Sequence, residues 1–225
     1  MLILAIDTST NILSVALVRG DEVLASIDEP TKNNQSEKLM PRIENLMKVC
    51  QLKPTDLGKI AVAIGPGSYT GIRVGVAAAK SLAYALDIPL VGVSSLEVMA
   101  AVEGDACLII PMIDARRGTV FSGCYEAGHL VIPDGHYTIE ALIGELKKNW
   151  IKVDRITFIG DGAVAYKENL MSLLEYADVK SELELKGCKA VALAKLAQKR
   201  LAQKNIHEFV PNYLRKTEAE MNLNG

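Results

Sequence analysis

Short apolar runs and longer stretches of helical periodicity alternate along the chain, and their order occurs twice. Apolar runs predict strands at Leu2–Asp7, Leu13–Val18 and Val23–Ile27, with Arg19-Gly20-Asp21 as the turn between the last two. From about Gln35 to Cys50, Leu39, Ile43, Leu46, Met47 and Cys50 recur at helical spacing. Asn34 and Glu37 fit a capping box at its start, while Pro41 predicts a kink or a later true start. A strand at Lys59–Ile64, a helix at Gly71–Leu86, a strand at Pro89–Val93 and a helix at Ser95–Val102 complete the first half.

The pattern then restarts. Leu108–Asp114, Val120–Tyr125 and His129–Val131 read as strands, Thr138–Lys148 as a helix, Arg155–Ile159 as a strand and Val164–Leu174 as a helix. Ile6-Asp7 and Ile113-Asp114 end the first strand of each half, and Ile64-Gly65-Pro66-Gly67 matches Ile159-Gly160-Asp161-Gly162. This duplication predicts two α/β domains. Each should hold a mixed sheet, because hairpins join its first three strands and crossovers join the rest. A helix at Ala190–Gln203 and a tail at Phe209–Met221 follow.

Composition narrows the function classes. At 225 residues and 49% hydrophobic, the chain can bury a substantial core. A net charge of -2 argues against a chain that grips nucleic acid alone. Cys50, Cys107, Cys124 and Cys188 lie far apart, as do His129, His136 and His207, so a zinc site is not expected. The apolar start meets Asp7 almost at once, and the longest apolar stretch, Ile72–Leu86, carries Arg73 and Lys80. A soluble, cytoplasmic protein is expected.

Several residues could carry chemistry. The glycine-rich turn at Gly65-Pro66-Gly67-Ser68-Tyr69-Thr70-Gly71 lacks the Gly-Lys of a P-loop, and Thr70 stands where a dinucleotide fingerprint needs glycine. Its setting is not a nucleophile elbow either, and no histidine partners Ser68. Beyond it, Gly71, Gly75, Ala79 and Ala83 recur every fourth residue, a ridge on which another helix could pack closely. That ridge and the apolar stripe through Leu39, Met40, Ile43, Leu46 and Met47 suit a domain core and a partner surface equally. Asp7, followed by Thr8-Ser9-Thr10, could hold a hydrated magnesium ion beside a phosphate, or could serve the backbone of a tight turn. Asp114-Ala115-Arg116-Arg117-Gly118 supplies either a second anion loop or a surface ion-pair cluster. Gly160-Asp161-Gly162 reads as a plain turn, or as one beside an adenine.

Ala5-Ile6-Asp7-Thr8-Ser9, Gly65–Arg73, Asp114-Ala115-Arg116-Arg117 and the tail Val210-Pro211-Asn212-Tyr213-Leu214-Arg215 together resemble the TsaB (YeaZ) family, over essentially the whole chain. The resemblance implies two tandem ribonuclease-H-like domains of the actin, sugar kinase and Hsp70 superfamily. They would span 1–103 and 104–205, with 206–225 as a tail packing on the first. It implies a non-catalytic subunit that binds and supports TsaD, the enzyme transferring threonylcarbamoyl to adenosine 37 of tRNAs that read A-starting codons. TsaE would join a larger complex, tRNA would be reached only through it, and the chain alone would form a homodimer. No cofactor is expected. The partner surface would be the ridge of Leu39, Ile43, Met47, Gly71, Gly75, Ala79 and Ala83, with Asp7, Asp114, Arg116 and Arg117 as a vestigial nucleotide or anion site. The alternative is an active small ATPase or kinase of the same superfamily using Asp7 and Asp114. TsaD-like sequences carry a His-x-x-x-His metal pair after the strand matching Pro89–Val93, and Ser95 and Met99 hold those positions here.

Overall fold

A computed structural model describes residues 1–31, 34–103, 108–149, 156–173 and 177–214. Every residue of Leu2–Asp7 (β1) is buried, because both faces of the strand are covered. Ile12–Arg19 (β2) and Glu22–Pro30 (β3) follow as antiparallel neighbours. Lys59–Ala63 (β4) and Leu90–Val93 (β5) add in parallel on the other side of β1. The sheet order is β3-β2-β1-β4-β5.

Leu108–Asp114 (β6), Thr119–Glu126 (β7), His129–Thr138 (β8), Ile156–Ile159 (β9) and Ala177–Lys180 (β10) form a second sheet, ordered β10-β9-β6-β7-β8. Read from the other edge, this is the order of the first. The duplicated mixed sheets inferred from the sequence are present.

Strand alternation decides which face each helix covers. Leu2, Leu4 and Ile6 point to the face covered by Gln35–Val49 (α1) and Tyr69–Leu86 (α2). Ile3 and Ala5 point the other way, toward Ala190, Leu193, Ala194 and Ala197 of Lys189–Gln198 (α7). Between the sheets lies Ser95–Glu103 (α3), whose Leu96, Met99 and Ala100 pack with Ile109, Ile113, Tyr125 and Ile159 of the second half. The far face of the second sheet is closed by Ile139–Asn149 (α4), Asp161–Ala165 (α5) and Lys167–Leu173 (α6).

The structure alters several expectations. β8 is far longer than His129–Val131, and β10 adds an edge strand where none was expected. The stretch read as one helix near 164–174 is divided between α5 and α6. Helix α1 runs unbroken through Pro41, which lies on its exposed side. The capping box at Asn34 is not made, since its side chain accepts no cap hydrogen bond. α2 begins two residues before Gly71, at Tyr69, because the Ser68 hydroxyl accepts from the Gly71 amide.

Helix α7 lies within 104–205 in sequence, yet its contacts are with β1, β2, β3, β4, β5 and α3. Its small apolar residues fit the groove of the first sheet, and both ends of the helix are fastened there. At its C-terminal end the buried Lys59 ammonium donates to Ala197 O at 3.0 Å, the sign the helix dipole favours. The tail continues across the same half: Phe209 is buried, Lys80 donates to its carbonyl at 2.8 Å, and the Asn212 amide donates to Ile64 O at 2.7 Å. Cys50, Cys124 and Cys188 are free thiols; Cys107 and the tail after Leu214 lie outside the described residues.

The ridge assigned to a partner is internal. Leu39, Ile43, Met47, Ala79 and Ala83 are core residues. A Cβ on Gly71 would stand 2.1 Å from Thr8 O, and one on Gly75 2.3 Å from Thr8 Oγ1. The small side chains let α2 approach the end of the chain's own first strand, so they are spent on the core of the first half.

Candidate functional site

The carboxyl ends of β1 and β6 face a cleft of about 590 Å³ between the two halves. Ser9, Thr10 and Asn11 of the first hairpin line one side, with Pro66–Tyr69 of the glycine turn beside them. Asp114, Ala115, Arg116 and Asp161 line the other, and Asn212–Leu214 of the tail complete the rim. The Tyr69 and Tyr213 rings stack at 5.2 Å, and the Arg73 guanidinium lies over Tyr69, also at 5.2 Å.

Asp7 and Asp114 begin the two turns in the same way. Asp7 Oδ1 accepts from the Ser9 amide at 2.8 Å, and Asp114 Oδ1 accepts from the Arg116 amide at 2.8 Å. Each carboxylate therefore closes an Asx turn two residues on. The Asp114 amide in turn donates to Asp161 Oδ1 at 2.9 Å, and burial raises the Asp161 carboxyl above its ordinary pKa. Arg116 lines the cleft, whereas Arg117 follows it on the same turn, both with positive φ.

The hairpin's hydroxyls are turned inward. Thr8 donates to Gly71 O at 2.7 Å and Ser9 to Asp7 Oδ1 at 2.6 Å, while Thr10 Oγ1 accepts from the Ile12 amide at 3.3 Å. Beneath them sits Lys189, 1% exposed, at the start of α7. Its ammonium lies 3.5 Å from Asp7 Oδ2 and 3.2 Å from Glu182 Oε1, and donates to Thr10 Oγ1 at 2.7 Å. Burial alone would lower the Lys189 pKa, but Asp7 and Glu182 outweigh it and hold the ammonium charged.

The sequence reading missed Lys189 and Glu182. A signal was available: a lysine at the first position of a helix stands at the end where the dipole disfavours a cation, so it calls for an acidic partner. The remaining predicted positions are distributed between two places. Asp114 and Arg116 reach the cleft, while Asp7 is sealed under its floor.

Ser95 and Met99, on the first turns of α3, are 0% and 1% exposed. The Ser95 hydroxyl accepts from the Gly65 amide at 3.2 Å, and Met99 packs between the sheets. Among the described residues, no group of three or more His, Cys, Asp or Glu is placed to hold a metal ion. No described helix is long and apolar enough to cross a membrane.

Residues 22–223 match the family described as "TsaD: tRNA N6-adenosine threonylcarbamoyltransferase". The Bacillus subtilis protein named "tRNA threonylcarbamoyladenosine biosynthesis protein TsaB" is 39% identical over 98% of this chain and 96% of its own length. The chain belongs to the TsaB (YeaZ) family. The TsaB of Escherichia coli is 34% identical over 65% of this chain and 64% of its own. Among solved structures, YeaZ from Pseudomonas aeruginosa superposes with a TM-score of 0.73 at 25% identity, covering 95% of this chain and 99% of that one. A ROK hexokinase from Thermus thermophilus superposes at a TM-score of 0.51 and 12% identity, covering 88% of this chain and all (100%) of that one. That likeness is one of fold alone.

Proposed function

We propose that this chain is a non-catalytic subunit of the machinery that makes threonylcarbamoyladenosine in tRNA, binding and supporting a TsaD-type transferase. One observation carries the reading. The positions where the resemblance puts the transferase's metal pair hold Ser95 and Met99, and both serve the core. A hydroxyl already engaged on the Gly65 amide and a thioether packed between sheets are poor substitutes for two imidazoles.

The partner surface moves from the buried ridge to the outer side of the same helices. On α2, Arg73, Ala77, Ser81 and Ala85 are exposed and again four residues apart. Tyr84 is 68% exposed beside them, and α1 offers Met40 and Val49. Small side chains at Ala77, Ser81 and Ala85 would admit a close helix, with the larger apolar groups at the margins. A homodimer of the chain alone would use the same face and compete with the transferase.

Sizing chromatography with light scattering, on this chain with and without TsaD from the same source, tests the reading. A species of heterodimer mass is expected, and Ala77→Arg should abolish it while leaving the circular dichroism unchanged. Heterodimer formation by folded Ala77→Arg would place the interface elsewhere. No complex between two folded proteins would defeat the subunit reading.

A further inference from the structure

Kinases of this fold imply a divalent metal held by the carboxylate that ends the first strand. The residues here do not fit one. Asp7 is wholly buried, whereas a hydrated magnesium ion keeps several waters and needs room for them. Both Asp7 oxygens are also spoken for: Oδ1 accepts from the Ser9 amide and hydroxyl, and Oδ2, with no hydrogen-bond partner of its own, faces the Lys189 ammonium at 3.5 Å.

We infer that Lys189 is a built-in cation that occupies the metal's place at Asp7 and converts a phosphate-handling hairpin into a lock between α7 and the first sheet. Three observations converge on it. The ammonium is enclosed by two carboxylates and one hydroxyl, Asp7, Glu182 and Thr10, the kind of oxygen set a hard cation takes. The Thr8 and Ser9 hydroxyls donate into the protein and Thr10 Oγ1 accepts from the Lys189 ammonium, so all three side chains of the hairpin are engaged below the cleft. The lysine enters from a helix that follows the second half in sequence and packs on the first, so one charge ties together segments 182 residues apart (Asp7 to Lys189, by their numbers).

Manganese(II) is the probe, read by the paramagnetic resonance signal of the free ion and by the melting temperature, with the chain alone. Wild-type protein should leave the free-ion signal and its own melting temperature unchanged relative to chelator. Lys189→Ser should melt several degrees lower in chelator, take up manganese and recover part of the loss, and Asp7→Asn added to it should remove the recovery. One manganese bound per wild-type chain and lost in Asp7→Asn would overturn the inference. So would a folded Lys189→Ser that melts with wild type in chelator. If Lys189→Ser does not fold, the neutral set Asp7→Asn/Glu182→Gln/Lys189→Met decides: recovered folding supports a compensating charge, and failure of both variants overturns it. None of these readouts involves the transferase, so they stand or fall apart from the subunit reading.

Discussion

The two halves share a sheet order and an Asx turn at the end of the first strand, yet their turns have opposite surroundings. Asp7 is sealed beneath the cleft and faces a buried lysine, whereas Asp114 is exposed at the cleft wall beside Arg116. The difference comes from what lies over each sheet. Helix α7 covers the first sheet opposite α1 and α2, and its N-terminal lysine reaches the carboxylate. On the second sheet the matching turn is met by the short helix α5 and its Asp161, an acid instead of a base. The same carboxylate-to-amide bond has thus been put to structural use in one half and left open in the other.

The glycine turns should show the largest contrast. A Cβ on Gly67 would lie 2.2 Å from Ser9 O, a backbone atom that cannot retreat without breaking the turn, whereas one on Gly162 meets Met112 O at 3.0 Å. Gly67→Ala is expected to cost about 3 kcal/mol or more and Gly162→Ala about 1 kcal/mol, measured by urea denaturation. Equal losses would mean that the first turn is no more tightly held than the second.

Neutralising the two aspartates comes next. Asparagine keeps the Oδ1 acceptor of each Asx turn, so the substitution isolates the charge. Asp7→Asn leaves Lys189 with Glu182 alone and should cost about 2–4 kcal/mol, because a buried charge loses one of its two partners. Asp114→Asn should stay within about 0.5 kcal/mol, as expected at an exposed position. A large loss at Asp114 with none at Asp7 would invert the comparison.

These contrasts mark where sequence reasoning stops. Leu2–Asp7 and Leu108–Asp114 announce themselves as buried strands, and with the two glycine turns they reveal the duplication. The ridge of Gly71, Gly75, Ala79 and Ala83 was equally legible as a ridge, but its spacing is the same whether a sheet or a partner lies against it. What settles the matter is Thr8, 63 residues away from Gly71, whose hydroxyl takes the Gly71 carbonyl. Ala177–Lys180 carries little apolar signal and becomes a strand only through parallel pairing with β9. Helix α7 looks like the end of the second half because chain order says nothing of which groove its alanines enter. Of the site, Asp7, Asp114 and Arg116 could be named in advance. Their separation into a sealed turn and an open one depended on Lys189, a contact across almost the whole chain.

The smallest effect concerns how each half attaches its first helix to the edge strand. In the second half α4 starts directly after β8, and the Thr138 hydroxyl accepts from the Ala141 amide at 3.2 Å. In the first, Glu29 of β3 reaches across to α1, meeting Lys38 Nζ at 2.7 Å and Arg42 Nε at 2.6 Å. Hydrogen bonds from Arg42, then from Lys38, lower the Glu29 pKa from 4.5 to about 2. The folded form therefore binds this proton more weakly than the unfolded chain, so the contribution is present above about pH 5 and is lost as pH falls toward 2. Solvent reaches all three groups, which limits the gain to about 1 kcal/mol or less. Glu29→Gln should lower stability by that amount at pH 7 and in low salt, with the gap to wild type closing at pH 2 and narrowing in high salt. A deficit that is the same at pH 2 and pH 7 would show that glutamine has disturbed the packing of β3 on α1, and that the ion pairs are not what holds the first helix in place.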